Sequence, residues 1–199
     1  MSIEEWDAVV VGSGPGGLCT AACLGSAGKK VLVLEAHDVA GGNTQVFRRH
    51  HGDDWFEFDV GVHYVGELGP GGLLGNIYRS LGVGDRMGFS QLDPDGFDTL
   101  VFPDFEFRVP ASWEEYQERL VAQFPNDRAG IEKTLHVLRT VAAEGRMVFG
   151  GDRPTFDEWA YRPLSELFEE AELSQPAQAV LDHWSTLYAG PPTQTALIM

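Results

Sequence analysis

Cysteine is nearly absent: Cys19 and Cys23 are the only two in 199 residues. They cannot build a disulfide scaffold, and four residues apart in a helical stretch they share one face. Buried thiols are the expectation there, with a redox pair as the alternative. Basic residues are also scarce. Fourteen Lys and Arg face 30 Asp and Glu, for a net charge of −16, which argues against nucleic acid as a partner and makes anionic lipid a poor one. No uninterrupted apolar run reaches the roughly 20 residues of a membrane-spanning helix, although contact with a membrane periphery stays open. Glu4 and Glu5 stand where a signal peptide carries positive charge, and no small-residue cleavage site follows an apolar block. A cytoplasmic location is therefore expected.

Glycine, by contrast, is abundant, at 24 of 199 residues against a usual share of about 7%. The glycines cluster in the first 90 residues, between segments that are apolar and periodic. That pattern favours a backbone shaped around a ligand over a low-complexity linker.

Residues 6–11 (WDAVVV) read as a buried strand, the stretch from Gly14 to Gly28 as a small-residue helix, and residues 30–35 as a second buried strand. Strand, tight turn, helix and strand in this order form a βαβ unit, and so imply a parallel sheet. A hairpin is expected around Gly52, a short helix in residues 71–83, and a second hairpin around Pro103-Asp104. Ser112 with Glu115 has the capping-box spacing, ahead of an apolar stripe at Trp113, Tyr116, Leu120 and Phe124. Asn126 is the expected cap of the next helix, with Ile131, Leu135, Leu138 and Ala142 inward. Thr155 with Glu158 repeats the capping pattern, and helical segments follow near 163–171 and 176–188. A domain boundary is drawn near residue 67.

Gly12-Ser13-Gly14-Pro15-Gly16-Gly17 fits G-x-G-x-x-G. In that pattern Gly12 permits the turn out of the strand, Gly14 lets a pyrophosphate approach the backbone, and Gly17 lets helix and strand pack closely. The helix N-terminus adds free N–H groups and partial positive charge. The bare pattern is weak evidence, but here it follows a strand and opens a helix. Glu35 lies 18 residues beyond Gly17, near the expected spacing of about 20. A carboxylate there accepts from ribose hydroxyls and repels a 2′-phosphate, and Ala36 and His37 supply no compensating arginine. FAD or NAD is favoured over NADP.

The segment from Val9 to Phe47, with Gly41-Gly42-Asn43 in it, and the later Phe56-Glu57-Phe58-Asp59-Val60-Gly61-Val62-His63-Tyr64 resemble the phytoene desaturase, carotenoid isomerase and retinol saturase group of flavoproteins, retinol saturases most closely. The resemblance implies an α/β fold. Residues 1–66 would be a Rossmann-like FAD/NAD(P)-binding βαβ module with hairpin insertions, and residues 67–199 the first part of a mainly helical substrate (cap) region. It also implies FAD, with NAD as the alternative, and redox chemistry on carbon–carbon double bonds of an apolar polyene or similar lipid. Gly41, Gly42 and Asn43 would lie near the FAD, and Gly61, followed by Val62 and His63, against the flavin ring. An ordinary β-bulge is the competing reading of Gly61, and a packed, hydrogen-bonded histidine that of His63. No residue is assigned to catalysis.

His50, His51, Asp53 and Asp54 have metal-ligand chemistry but crowd a hairpin tip, where solvation is expected. The acidic run 152–172 reads as a solvated face. Arg48 and Arg49 are expected at the surface, with a phosphate or carboxylate partner as the alternative. A non-catalytic nucleotide-binding protein and an NAD-dependent dehydrogenase remain the other functional readings. Pro191-Pro192 and Thr193 ahead of an apolar run look like the opening of a further helix. A single βαβ unit also leaves a parallel sheet uncovered. These features raise the expectation that residues 1–199 alone bind FAD weakly, expose apolar sheet surface and do not turn over.

Overall fold

In the computed structural model Ala8–Val11 (β1) pairs in parallel with Val31–Leu34 (β2), Ala8 opposite Val31 and Val11 opposite Leu34. The structure describes residues 5–146, 151–188 and 190–197. Helix α1, Pro15–Ser26, makes the crossover. It starts with Pro at its first turn, where the missing N–H costs nothing, and it stops at Gly28, whose φ of +79° suits glycine. The βαβ reading is thus what the chain adopts. The expected burial of its strands is not. Val9 is 54% and Val11 83% exposed, because one crossover helix covers one face of a two-stranded sheet and leaves the other open. α1 itself has no buried residue. Cys23 is exposed and Cys19 only half-buried, contrary to the expectation of two buried thiols.

A 3-10 turn at Gly42–Thr44 leads into a hairpin of Val46–His51 (β3) and Asp54–Asp59 (β4). All its residues are exposed, so His50, His51, Asp53 and Asp54 are solvated. Arg48 meets Glu57 across the strands at 2.7 Å, and the Arg49 guanidinium lies over the Phe47 ring. Phe58, Val60, Val62 and Tyr64 alternate as in a strand, but β4 ends at Asp59. Val60 N–H still reaches Gln45 O at 3.2 Å. Beyond it the partner chain has coiled into the Gly42–Thr44 turn and offers no ladder. Helix α2, Leu73–Ser80, begins where Leu73 N–H donates to the Glu67 carboxylate.

Two units are distinguishable, residues 1–89 and 90–199. The second unit opens with a hairpin, Asp98–Val101 (β5) and Glu106–Val109 (β6). Helices α3 Trp113–Gln123, α4 Arg128–Gly145, α5 Pro154–Trp159, α6 Leu164–Glu170 and α7 Gln175–Leu181 follow. Ser112 caps α3 by accepting from Glu115 N–H. Leu120, Ile131, Leu135 and Phe168 form the centre of one apolar cluster, and Val141, Phe156, Trp159 and Leu167 a second.

Several local expectations shift by a residue or two. Asn126 sits inside a 3-10 turn, Pro125–Asp127, and Asp127 occupies the N-cap of α4. Its carboxylate instead accepts from Ser174 N–H and Oγ at 2.6 and 2.8 Å, a tertiary partner outcompeting a local one. Thr155 lies within α5, which starts at Pro154 after Arg153. Val141 faces inward in place of the exposed Ala142, and Trp113 is 42% exposed. After α7 the chain tightens into a 3-10 helix, His183–Tyr188. Thr193 lies in a turn, not at a helix cap, and Ala196 bridges to Pro163. Within the acidic run Arg162 collects Glu166 and Glu170, each at 2.7 Å, and stacks on Trp159.

Candidate nucleotide site

β1 ends by handing its ladder to the glycine turn: Gly12 N–H donates to Leu34 O at 2.7 Å, and Gly12 takes a φ of +96°. That left-handed value is where a Cβ is strained. Gly17 is required for a different reason. A Cβ on it would stand 2.2 Å from Gly12 O and 3.3 Å from Val10 Cγ1, so helix and turn approach as closely as they do only over a bare Cα. At Gly14 and Gly16 an added Cβ would meet nothing within 4 Å. Their bare faces look onto open space at the start of α1. No side chain caps that end, and no acidic residue lies in the first turn. The first-turn N–H groups that helix geometry leaves without intrahelical partners are therefore free of a competing carboxylate.

Glu35 follows the end of β2 and reaches back to this turn. Its Oε2 accepts from Ser13 N–H at 2.7 Å and from Ser13 Oγ–H at 2.5 Å, and its Oε1 accepts from His37 N–H at 2.9 Å. The Ser13 hydroxyl, helped by the backbone N–H groups of His37 and Ser13, holds the Glu35 carboxyl down to about 2. The folded value lies below the ordinary glutamate value of about 4.3. The carboxylate thus stabilises the fold above that pH, and its contribution is lost as pH falls toward 2.

The second glycine loop closes over the first. Gly41 N–H donates to Ser13 O at 3.0 Å, and Thr44 Oγ donates back to Gly41 O at 2.7 Å. Gly41 and Gly42 have φ of +123° and +55°. A Cβ on Gly42 would come 3.0 Å from Gly14 Cα. Gly61 adjoins the same loop, where a Cβ would meet Asn43 Cβ at 3.5 Å, an ordinary contact. Val62 is half-buried, while His63 and Ala36 are exposed. Contacts therefore connect Gly12–Gly17, Glu35, Gly41–Asn43 and Gly61. Thr44 was not anticipated from the sequence; its signal was a threonine three residues after Gly41, a spacing at which hydroxyls bond backbone carbonyls. Pro15 adds a rigid first helical position.

A family model described as an NAD(P)-binding Rossmann-like domain matches residues 10–81. Three curated relatives extend the comparison. All-trans-retinol 13,14-reductase of Danio rerio is 32% identical over 220 residues, spanning 98% of this chain and 35% of the relative. The protein of that name from Rattus norvegicus is 39% identical over 147 residues, 70% of this chain and 22% of the relative. Prolycopene isomerase 1 of Oncidium hybrid cultivar is 34% identical over 130 residues, 65% of this chain and 22% of the relative. The chain carries a Rossmann-like domain and is a homologue of these retinol reductases and prolycopene isomerases. It spans at most about a third of their length. The family match covers the end of β1, α1, β2, the β3–β4 hairpin and α2.

The bare backbone of Gly14 and Gly16 faces open space at a helix N-terminus with no side-chain cap and no acidic residue in its first turn, a chemistry that fits a phosphate group. Among the described residues no helix is long and apolar enough to cross a membrane.

Proposed function

We propose that this chain forms the nucleotide-binding part of an FAD-dependent oxidoreductase acting on carbon–carbon double bonds of an apolar polyene or related lipid. The observation that carries the reading is the open space beside Gly14, bounded by Glu35 through Ser13 and by the Gly41–Gly42 loop. The names of the homologues support the substrate class. FAD is preferred to NAD because bare backbone continues past the phosphate turn, through Gly41 and Gly42 to Gly61 beside Asn43. A flat ring system needs such a surface. When bound, the flavin supplies hydride or electron transfer. The protein's part is to hold the pyrophosphate at Gly14, Pro15, Gly16 and Gly17, to accept from the ribose at Glu35, and to seat the ring near Gly61, Val62 and His63. A cytoplasmic setting belongs to the same reading.

Titrating the purified chain with FAD tests it. Quenching of flavin fluorescence that excess ADP reverses is the expected result, with weak affinity and no turnover by the chain alone. Binding of NADH without any response to FAD would favour the dehydrogenase reading. A flavin-saturated, active chain would overturn the expectation that these 199 residues are insufficient for catalysis. That Gly-x-Gly-x-x-Gly sites also accept nicotinamide nucleotides is the reason to run both ligands side by side.

A further inference from the structure

Among the described residues of the first unit Ser13 is the one buried polar side chain, at 2% exposure, and its hydroxyl sits between Glu35 and the Gly41 loop. It donates to Glu35 Oε2 at 2.5 Å and accepts from Gly41 N–H at 3.3 Å. Its own N–H takes a second site on Oε2. An ionised carboxylate offers about four acceptor sites. Ser13 fills two and His37 N–H fills a third, which leaves one, on Oε1.

We infer that Ser13 is a positioning residue that fixes the Glu35 carboxylate, so that the nucleotide meets a single acceptor in one orientation and a negative charge that cannot swing away. Such a site takes an unmodified ribose, whose hydroxyl can donate to the remaining acceptor. It rejects a 2′-phosphorylated one, which brings only acceptors and further negative charge. Selectivity at this position then comes from the serine as much as from the glutamate. Glu35 alone could rotate aside, but a Glu35 held by two donors of the buried Ser13 turn cannot do so without leaving both unpaired. The same hydroxyl also bonds Gly41 N–H, so the second glycine loop is registered against the carboxylate. The largest causes holding Glu35 ionised are the Ser13 hydroxyl and the backbone N–H groups of His37 and Ser13. The inference rests on the proposed nucleotide site, and its test separates the two.

The full chain and its Ser13→Ala variant are compared in two ways. The first needs no ligand: the Glu35 side-chain carboxyl is followed by carbon-13 NMR from pH 7 down to 3. The wild-type signal should stay that of an ionised carboxylate through most of the range, whereas in Ser13→Ala it should begin to titrate near the ordinary glutamate value of about 4.3. The second measures ADP against adenosine 2′,5′-bisphosphate. Ser13→Ala should weaken ADP about three- to tenfold, the loss of roughly one hydrogen bond, and narrow the preference for ADP. In a Glu35→Ala background the serine substitution should change neither affinity further, because it acts through the glutamate. Identical titration curves in wild type and variant overturn the positioning role. A shifted curve with unchanged nucleotide preference overturns it too, leaving Ser13 a purely structural clamp. A shifted curve with neither nucleotide bound by wild type overturns the nucleotide site itself.

Discussion

The two units of the molecule are ordered by different means. In the second, aromatic and aliphatic side chains are withdrawn from water: Leu120, Ile131 and Val180 are 0% exposed and Phe168 is 1% exposed. In the first unit no large apolar side chain is buried among the described residues. Its buried positions are Ser13, Gly41 and Gly75, a hydroxyl and two bare backbones. The half that carries the ligand motif is shaped by left-handed glycines, short backbone approaches and one carboxylate–hydroxyl pair. The other half is shaped by apolar burial. Stability and binding should therefore respond to substitutions in separate halves of the chain.

The largest effect on stability is expected from the second unit. Phe168→Ala should cost about 3–5 kcal/mol, seen as an earlier midpoint in urea unfolding followed by near-ultraviolet circular dichroism. FAD affinity per folded molecule should not change; if it fell in step with stability, the division between the halves would be gone.

Next come two substitutions in one turn. Gly14→Val adds bulk to open space, so far-ultraviolet circular dichroism should match wild type while FAD quenching disappears. Gly17→Val drives carbon into Gly12 O, and it should lose binding and also speed amide exchange across β1 and α1. Equal FAD affinity in the Gly14 variant would remove the pyrophosphate from that position.

Glu35→Ala is expected to weaken FAD or ADP about ten- to a hundredfold, the loss of a charge-assisted hydrogen bond. Unchanged affinity would mean that the carboxylate serves the protein alone. For Gly61→Leu the expected change is in the visible spectrum of bound flavin, through displacement against Asn43; a spectrum identical to wild type would take the flavin away from Gly61 and leave only the competing β-bulge reading. Smallest of all, Val11→Ser, on a side chain 83% exposed, should shift stability by no more than about 0.5 kcal/mol. A larger loss would show that β1 is covered in solution.

The glycine turn was legible in the sequence because its constraints are local. Gly12 does a job set by its φ and Gly17 one set by a neighbour a few residues away, and Glu35 is placed by the length of one helix and one strand. The capping of α3 by Ser112 was legible for the same reason. Burial was not. Val9, Val11 and Cys23 have the composition of core residues, but what covers them is not a local property. Asn126 is not the cap because the chain coils through a 3-10 turn to Asp127 before α4 begins, and the Asp127 carboxylate is taken by Ser174, 47 residues on. The Ser13–Glu35 pair escaped notice because motif spacing assigns each residue to the ligand and says nothing of what they do to one another.

The hairpin Val46–Asp59 is joined in its ladder only to itself, and water reaches every one of its side chains. A two-stranded ribbon in isolation is marginal, so its amides should exchange with deuterium long before those of α4. This ribbon lies between Asn43 and Gly61 in the chain, and its opening would loosen both ends of the loop that neighbours Gly14. A ligand seated there would slow the exchange of amides that it never touches. On the proposed function the hairpin would be a built-in reporter, whose exchange clock reads occupancy of the nucleotide site from outside it.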